Sequence, residues 1–298
     1  MRLINTRTME LEEFWSWEST PQYAVLSHTW GNPQDEATFQ DMKLRTWSNP
    51  EEQYGYEKIR MTCELALEKK LEYAWIDTCC IDKTSSAELS ESINSMFKWY
   101  NQATICFAYL ADWESEEASF SHCKWFTRGW TLQELIAPKE VIFYDKTWVN
   151  RGNKLELKSE IYRACNVPEN ILTGGIDLSD IHIANRMSWA ASRITSREED
   201  MAYCLLGIFN VNMPMLYGEG KKAFIRLQEQ LVGEYHDLSI FAWKQLQGDR
   251  QDFMGILAPS PKEFGGASGL YQTPYQRIRS LEANFSLSNR GIQFQAPL

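Results

Sequence analysis

Acidic side chains follow two apolar runs of the sequence, at positions where they could bind a cation or a sugar. Asp77 and Asp82 stand close together after one run, and Asp112 follows the next. Carboxylate oxygens in such a group suit magnesium. No glycine-rich phosphate loop accompanies them, and the same oxygens can shape a loop or accept the hydroxyls of a ribose. We therefore predict hydrogen bonding at these positions and no metal site.

Histidine and cysteine side chains offer acid–base or metal chemistry elsewhere. His28 follows the first apolar run, where an imidazole can move a proton, contact a phosphate or simply hydrogen-bond its loop. Two adjacent pairs, Cys79-Cys80 and His122-Cys123, lack the spacing of about two to four residues that zinc ligands usually have. We assign His28 a binding role and expect the cysteines to pack as small apolar side chains.

A sheet and its helices must position these residues. Between Tyr23 and Asp145, short apolar runs alternate with amphipathic stretches, which is typical of a parallel sheet with helical crossovers. The predicted strands are Tyr23 to Ser27, Tyr73 to Asp77, Thr104 to Leu110 and Val141 to Tyr144.

Apolar residues at helical spacing predict the crossover helices. The second of these helices follows a capping-box pattern, Ser85 to Glu88. A third helix is expected from about Thr127 to Ala137, where Pro138 stops it. The buried stripes of the first two helices are Ile59, Cys63, Ala66 and Leu67, and Leu89, Ile93, Met96, Phe97 and Tyr100.

Right-handed crossovers place the carboxyl ends of parallel strands at one edge of the sheet, where open α/β sheets bind ligands. The third helix begins near that edge, so Arg128 and Glu134 are expected to face the same crevice. The strand ends deliver the other candidates to this crevice: Ser27, His28, Trp30, Asp77 to Asp82, Asp112, Trp113 and Asp145.

The sequence changes character after Trp148. Residues 184–209 and 223–232 are helix-prone, and the chain after Ser239 reads as short strands or loops. The charged cluster 193–200 is either a solvated helix face or a bridge between the halves, and the turn 217–222 is expected to be structural. The predicted regions are an N-terminal extension (1–22), an α/β domain (23–148) and a mainly helical region with short strands packed on it (149–298).

Composition excludes several classes of protein. The chain has 298 residues, 44% of them hydrophobic, and a formal net charge of −10, so nucleic acid is not an expected partner. Seven cysteines, several in apolar stretches, indicate a reducing compartment. The N-terminus lacks a signal-peptide pattern, and the longest apolar stretch, Tyr203 to Leu216, is too short to span a bilayer. We expect a cytoplasmic protein that does not bind membranes.

Several long motifs occur in a fixed order along the chain. They are YAVLSHTWG, TFQD, YAWIDTCCIDK, SAELSESINSMFKWY and KWFTRGWTLQELIAP, followed by RMSWAASRITSREEDMAYCLLGIF and VNMPMLYGEGKKAFIRLQE. With these motifs the chain resembles the heterokaryon-incompatibility (HET) domain proteins of fungi over most of residues 1–245. HET domains trigger cell death when incompatible cells fuse. Their sheet is distantly similar to that of Toll/interleukin receptor (TIR) domains, which implies a TIR-like, flavodoxin-like parallel sheet flanked by helices.

The TIR resemblance implies a catalytic residue. TIR domains that hydrolyse NAD use a glutamate in a Trp-Cys-Leu-x-Glu-Leu segment, and here Trp130 to Leu135 matches it, with Thr131 in place of the cysteine. Glu134 is therefore the implied catalytic acid. A carboxylate can stabilise the oxocarbenium-like centre formed when the nicotinamide–ribose bond breaks. Alternatively, Thr131 and Glu134 form a capping box, and the glutamate only ties down a backbone N–H.

The same resemblance implies an NAD-binding site with no bound cofactor, NAD being the substrate. From their positions alone, Trp30 is expected to stack on a ring of NAD, and Arg128, at a helix start, is expected to hold the pyrophosphate. The implied substrate-binding residues are Ser27, His28, Trp30, Asp77, Arg128 and Trp130.

Two functions remain open at this point. The first is a NAD hydrolase that depletes the cofactor and kills the cell after self-association into a homo-oligomer. The second is a non-enzymatic death-signalling module that recruits partner proteins, among them NOD-like or other HET-system proteins. The chain is either a short family member or an N-terminal fragment, and composition does not decide between the two.

Overall fold

A computed structural model describes residues 1–44, 54–114, 120–245, 255–268, 284–288 and 291–295. Its main feature is a seven-stranded mixed sheet in the order β2-β1-β4-β3-β5-β6-β7. The strands are β1 (Arg2–Asn5), β2 (Leu11–Glu13), β3 (Tyr23–His28), β4 (Tyr73–Trp75), β5 (Ile105–Tyr109), β6 (Val141–Tyr144) and β7 (Asn150–Asn153). A separate hairpin pairs β8 (Asn284–Ser288) with β9 (Gly291–Gln295).

The centre of the sheet is parallel and buried. β4, β3, β5 and β6 run side by side in one direction, so the four parallel strands have the order 2-1-3-4 when numbered along the chain. The direction of travel reverses between β3 and β5, which makes their carboxyl ends the topological switch point. The predicted α/β class is confirmed, and the four predicted strands lie within two residues of the observed ones.

The sheet extends beyond the predicted domain limits on both sides. β1 pairs antiparallel with β4, and β2 pairs with β1, so residues 1–22 contribute two strands to the sheet. At the other edge β7 pairs antiparallel with β6 beyond residue 148. The two edge strands are β2 and β7, and β1 lies between β2 and β4. All three are short, and they lack the long apolar run that marks the central strands.

Helices cover both faces of the sheet. Because β3 connects to β4 in one direction and β4 to β5 in the other, right-handed crossovers place α2 on one face and α4 and α5 on the opposite face. The α-helices are α1 (Phe39–Leu44), α2 (Tyr54–Glu68), α3 (Asp77–Cys80), α4 (Ser86–Gln102), α5 (Thr131–Ile136), α6 (Lys158–Cys165), α7 (Glu169–Leu172), α8 (Ile183–Ser188), α9 (Asp200–Tyr203), α10 (Leu206–Phe209) and α11 (Lys222–Glu234).

Short 3-10 helices fill several connections. They are Trp17–Ser19, Phe120–His122, Lys124–Thr127, Leu178–Asp180, Leu238–Phe241 and Pro261–Phe264. The predicted cap of α4 is present in part: Ser85 accepts the backbone N–H of Glu88. The Glu88 carboxylate instead accepts hydrogen bonds from the Arg2 guanidinium and from the backbone N–H of Asp82.

The predicted start of the third helix at Thr127 is wrong. Lys124–Thr127 forms a 3-10 helix, Arg128 is extended, and α5 begins only at Thr131. The interruption has a tertiary cause. The Gly129 N–H donates to Ile194 O at 2.8 Å, and the Ile194 N–H donates to Thr127 O at 2.7 Å. Hydrogen bonding to another part of the chain thus replaces one turn of helix.

The region after residue 153 packs directly on the α/β part. The helix predicted over residues 184–209 is divided into α8, α9 and α10, because residues 193–195 leave the helical path to pair with the segment before α5. Asn94 on α4 makes two hydrogen bonds to the backbone of Met213, one with each of its amide atoms. The C-terminal region therefore contacts α4 directly.

Candidate active site

Glu134 lies in the first turn of α5 and reaches the end of the first parallel strand. The Ser27 hydroxyl on β3 donates to Glu134 Oε2 at 2.5 Å, and the Trp125 indole N–H donates to Ser27 Oγ at 2.8 Å. Tyr100 on α4 lies beside the same carboxyl and donates to Leu26 O at 2.9 Å. The carboxyl therefore sits at the switch point of the sheet.

The capping-box interpretation of this glutamate is wrong. The residue before the helix is Trp130, and it makes no side-chain cap. Thr131 is turned away from the helix start, with its hydroxyl against the carbonyls of Trp125 and Arg128. Glu134 is free of any capping role and is directed at Ser27.

The surroundings of Glu134 bring its pKa close to neutral pH. Burial raises its pKa from 4.5 to about 8, and the negative charge of Asp77 adds to the rise. Hydrogen bonding with Ser27, the positive charge of Arg128 and hydrogen bonding with Tyr100 act in the opposite direction. The carboxyl can therefore exchange a proton in the range where general acids and bases work.

A second polar cluster surrounds His28. The Lys58 ammonium on α2 donates to His28 Nδ1 at 3.0 Å, so the ring proton is on Nε2, which donates to Asp77 Oδ1 at 3.3 Å. Burial and the Lys58 charge both lower the pKa of His28. Burial raises the pKa of Asp77, but the Lys83 charge and the bonds from His28 and Trp30 lower it more, and the net shift is downward. His28 is held neutral between an ammonium and a carboxylate.

Lys58 and Glu36 complete this cluster, and neither was predicted. Lys58 Nζ lies 2.5 Å from Glu36 Oε1, which also accepts the Gly31 N–H at 2.6 Å. Burial lowers the pKa of Lys58, and its bond to Glu36 opposes the change. A sequence signal was available, since Lys58 and the buried Thr62 share the apolar stripe of α2 at helical spacing.

The solvent-facing rim consists of Trp30 and Lys83. Trp30 is 47% exposed, and its indole N–H donates to Asp77 Oδ2 at 3.1 Å. Lys83 Nζ lies 3.8 Å from the centre of the Trp30 ring and 3.7 Å from Asp77 Oδ2. An aromatic face, a cation and a carboxylate thus meet at the surface.

The predicted convergence on one crevice is correct only in part. Ser27 and His28 are consecutive in β3, and successive strand residues point to opposite faces of the sheet. Ser27 therefore meets Glu134 on the α4 and α5 face, whereas His28 meets Lys58 on the α2 face. The two clusters approach each other only at the edge of the sheet where the parallel strands end. There the negative charge of Asp77 acts on Glu134.

Other predicted residues lie apart from these clusters. Trp130 hydrogen-bonds to Asp200 of the C-terminal region. Asp112 accepts the Lys124 N–H at 2.8 Å, and Asp145 accepts the Thr147 N–H at 2.8 Å, so both carboxylates shape their own loops.

Nowhere among the described residues do three or more His, Cys, Asp or Glu side chains gather so that they could hold a metal ion. No helix in the described ranges is long and apolar enough to cross a bilayer. A surface cavity of about 670 Å³ lies by β1, β2 and α2, and Glu134 does not line it. The residues Gly218 and Gly220 of the predicted structural turn donate their N–H groups to Glu199.

Part of this chain is similar to known proteins. Residues 23–122 match the model of the family described as "Heterokaryon incompatibility protein (HET)". The chain is similar to "Vegetative incompatibility protein HET-E-1" of Podospora anserina, with 44% identity over 222 residues. The match covers 71% of this chain but 16% of that protein, so the chain spans only a small part of the relative's length. No solved structure matches the chain.

Proposed function

Because this chain contains a heterokaryon incompatibility domain, we propose that it is a cell-death effector of vegetative incompatibility. The proposal is supported by the relative from Podospora anserina, whose name states vegetative incompatibility. We place the action in the cytoplasm, where fused cells mix their contents, and we propose activation by self-association into a homo-oligomer. Partner proteins of the NOD-like or HET-system kind would bring the copies together.

A TIR-like, flavodoxin-like arrangement is the second part of the proposal. Flavodoxin-like sheets have the strand order 2-1-3-4-5, and the four parallel strands of this chain have the order 2-1-3-4. Ligands of such sheets bind at the switch point between the first and third strands. Ser27 lies at that point and holds the Glu134 carboxyl.

The proposed reaction is hydrolysis of NAD at the bond between nicotinamide and ribose. The bond breaks with its electron pair leaving on neutral nicotinamide, and water adds to the ribose carbon with release of one proton. Ionised Glu134 stabilises the positive charge that develops on the ribose. Trp30 supplies an aromatic face for a ring of NAD, and Asp77 an acceptor for ribose hydroxyls.

The observation that carries this proposal is the Glu134 carboxyl itself. It is buried at the strand end, bonded to Ser27, and its pKa is raised to about 8. Perturbed carboxyls at strand ends are typical of functional sites. Glu134 is only 7% exposed. The proposal therefore requires the residues at the C-terminal ends of the parallel strands to move apart when copies assemble, so that NAD can reach the Glu134 carboxyl.

The direct test incubates purified protein with NAD and measures nicotinamide by chromatography, both in dilute solution and on a surface that crowds the copies. We expect release by the crowded wild type and by Glu64→Gln, an exposed control, and none by Glu134→Gln. Equal release by wild type and Glu134→Gln would refute the assignment. No release by the crowded wild type would refute the reaction.

A second candidate function is a non-enzymatic signalling module. The low exposure of Glu134 and its short bond to Ser27 favour it, since a carboxyl held in this way also stabilises a packed sheet edge. In that case Glu134→Gln would retain toxicity in cells, and substitutions of exposed surface residues would abolish it.

A further inference from the structure

A buried arginine of the C-terminal region contacts the start of the helix that carries Glu134. Arg193 is fully buried, and its Nη1 donates to Arg128 O at 2.7 Å and to Thr131 Oγ1 at 2.9 Å. Its Nε donates to Trp189 O at 3.2 Å. No ion pair joins this guanidinium to a carboxylate within the described part of the chain, and burial lowers its pKa. A buried cation without a counter-ion is costly, so stability alone is a poor reason for it.

The contacts of Arg193 lead to the Glu134 carboxyl through three residues, Thr131, Trp125 and Ser27. Thr131 Oγ1 accepts a hydrogen bond from Arg193, and the Thr131 hydroxyl donates a hydrogen bond to the backbone carbonyl of Trp125. The indole of that same tryptophan donates to Ser27, which donates to Glu134. Arg193 therefore fixes both elements that hold the Ser27–Glu134 pair, namely the Trp125 backbone and the first turn of α5.

The backbone around Arg193 fits the same segment closely. Ile194 exchanges two hydrogen bonds with Thr127 and Gly129, and the residues form an isolated parallel bridge at Arg128. A Cβ on Gly129 would lie 2.5 Å from Thr195 Cγ2 and 3.1 Å from Cys204 Sγ. Only glycine allows this approach.

We propose that Arg193 is a positioning residue for the Ser27–Glu134 pair, so that the site is incomplete without the C-terminal region. The charged cluster predicted as either a solvated face or a bridge is, at this residue, a bridge. The part of the chain needed to position Glu134 then extends beyond residue 148, to at least Thr195. The catalytic consequence rests on the proposed hydrolysis, whereas the positioning of the carboxyl does not.

The test uses a matched pair of substitutions that keep every charge. Thr131→Val removes the hydroxyl that links Arg193 to Trp125, and Thr131→Ser retains it. The pKa of Glu134 is followed in the full chain by carbon NMR of labelled glutamate, with Glu134→Gln to assign the signal. No NAD is present.

We expect Thr131→Val to lower the pKa of Glu134 by roughly one unit or more, because a loosened helix start admits water to the carboxyl. Thr131→Ser should titrate as the wild type does. Arg193→Lys, which keeps the charge but loses the planar fork, should behave like Thr131→Val, and the exposed Arg163→Lys should not. An unchanged Glu134 pKa in folded Thr131→Val protein would overturn the proposal, even if Arg193→Lys fails to fold.

The outcome separates this inference from the proposed function. If wild type releases no nicotinamide but the pKa responds to Thr131→Val, the hydrolysis fails and the positioning stands. If nicotinamide is released, we expect Thr131→Val to reduce kcat roughly tenfold at the high-pH plateau, where Glu134 is ionised in both proteins, and to move the pH profile to lower pH together with the carboxyl.

Discussion

The burial of Glu134 has a measurable consequence for folding. Replacing it by glutamine keeps the shape and an acceptor for the Ser27 hydroxyl, but removes the ionisable proton. In the wild type the carboxyl has a pKa of about 8 when folded and about 4.5 when unfolded. A raised pKa means that the unfolded chain ionises first. Wild-type stability should therefore be fully present below pH 4.5 and decrease as the pH rises toward 8.

The size of this decrease follows from the two pKa values. Each pKa unit corresponds to ~1.4 kcal/mol, so between pH 5 and pH 8 the folded wild type should lose about 3 to 4 kcal/mol from this group alone. Glu134→Gln has no ionisable group at this position, so it should not show this fall in the free energy of unfolding as the pH rises. For a chain of this length, that free energy corresponds to roughly 5 to 10 °C in Tm.

The assay is thermal unfolding of both proteins at several pH values from 5 to 8. Relative to wild type, Glu134→Gln should gain stability steadily as the pH rises. Glu64→Gln is the matched control because its side chain is 51% exposed, and its Tm should follow the wild type throughout. A difference between Glu134→Gln and wild type that is the same at pH 5 and pH 8 would refute the argument from burial.

Three further predictions concern other parts of the chain. Lys58→Met should lower the free energy of unfolding by about 3 kcal/mol or more by urea denaturation, because it leaves the buried Glu36 carboxylate without its cation; an unchanged midpoint would contradict this. Gly207→Ala should lower the free energy of unfolding by about 2 kcal/mol or more, because the added Cβ would lie 2.0 Å from Phe97 Cβ. The control is Gly233→Ala, where an added Cβ meets nothing within 4 Å, and in the same urea series its free energy of unfolding should be unchanged or higher. Nicotinamide release, followed as kcat/KM, should rise about tenfold between pH 6 and pH 7 and level off above pH 8, because the buried α5 carboxyl acts in its ionised form; a profile flat over this range would exclude that carboxyl as the reacting group.

The central strands were predictable because burial on both faces leaves a continuous apolar run. Tyr23 to Ser27 and Val141 to Tyr144 were found in this way and agree with β3 and β6. The edge strands β2 and β7, and β1 next to β2, have no such run. Their pairing depends on the neighbouring strand rather than on their own residues, so local pattern reading missed them.

The helix boundary before Glu134 depended on distant residues. The sequence around Thr127 permits helix, but Ile194 binds the backbone there, and no local pattern reveals that contact. For the same reason the sequence does not decide whether Arg193 lies on a solvated face or forms a bridge. Tertiary contacts decide such cases over local propensity.

The candidate site was predicted in part. The meeting of Ser27 with Glu134 followed from the rule that ligand-binding residues lie at strand ends, combined with the family resemblance. The division into two clusters differs from the predicted single crevice, because the side chains of consecutive strand residues Ser27 and His28 point to opposite faces of the sheet. Lys58 was missed because a lysine in an amphipathic helix usually lies in solvent.

The most direct test of the account is the NAD content of cells in which the full chain is expressed and forced to associate through a fused, inducible dimerisation domain. We predict that NAD falls before viability is lost with the wild type and with Glu64→Gln, and that it stays constant with Glu134→Gln. Cell death with constant NAD in the wild type, or an equal fall of NAD with Glu134→Gln, would contradict the claim that this buried carboxyl is the reactive group.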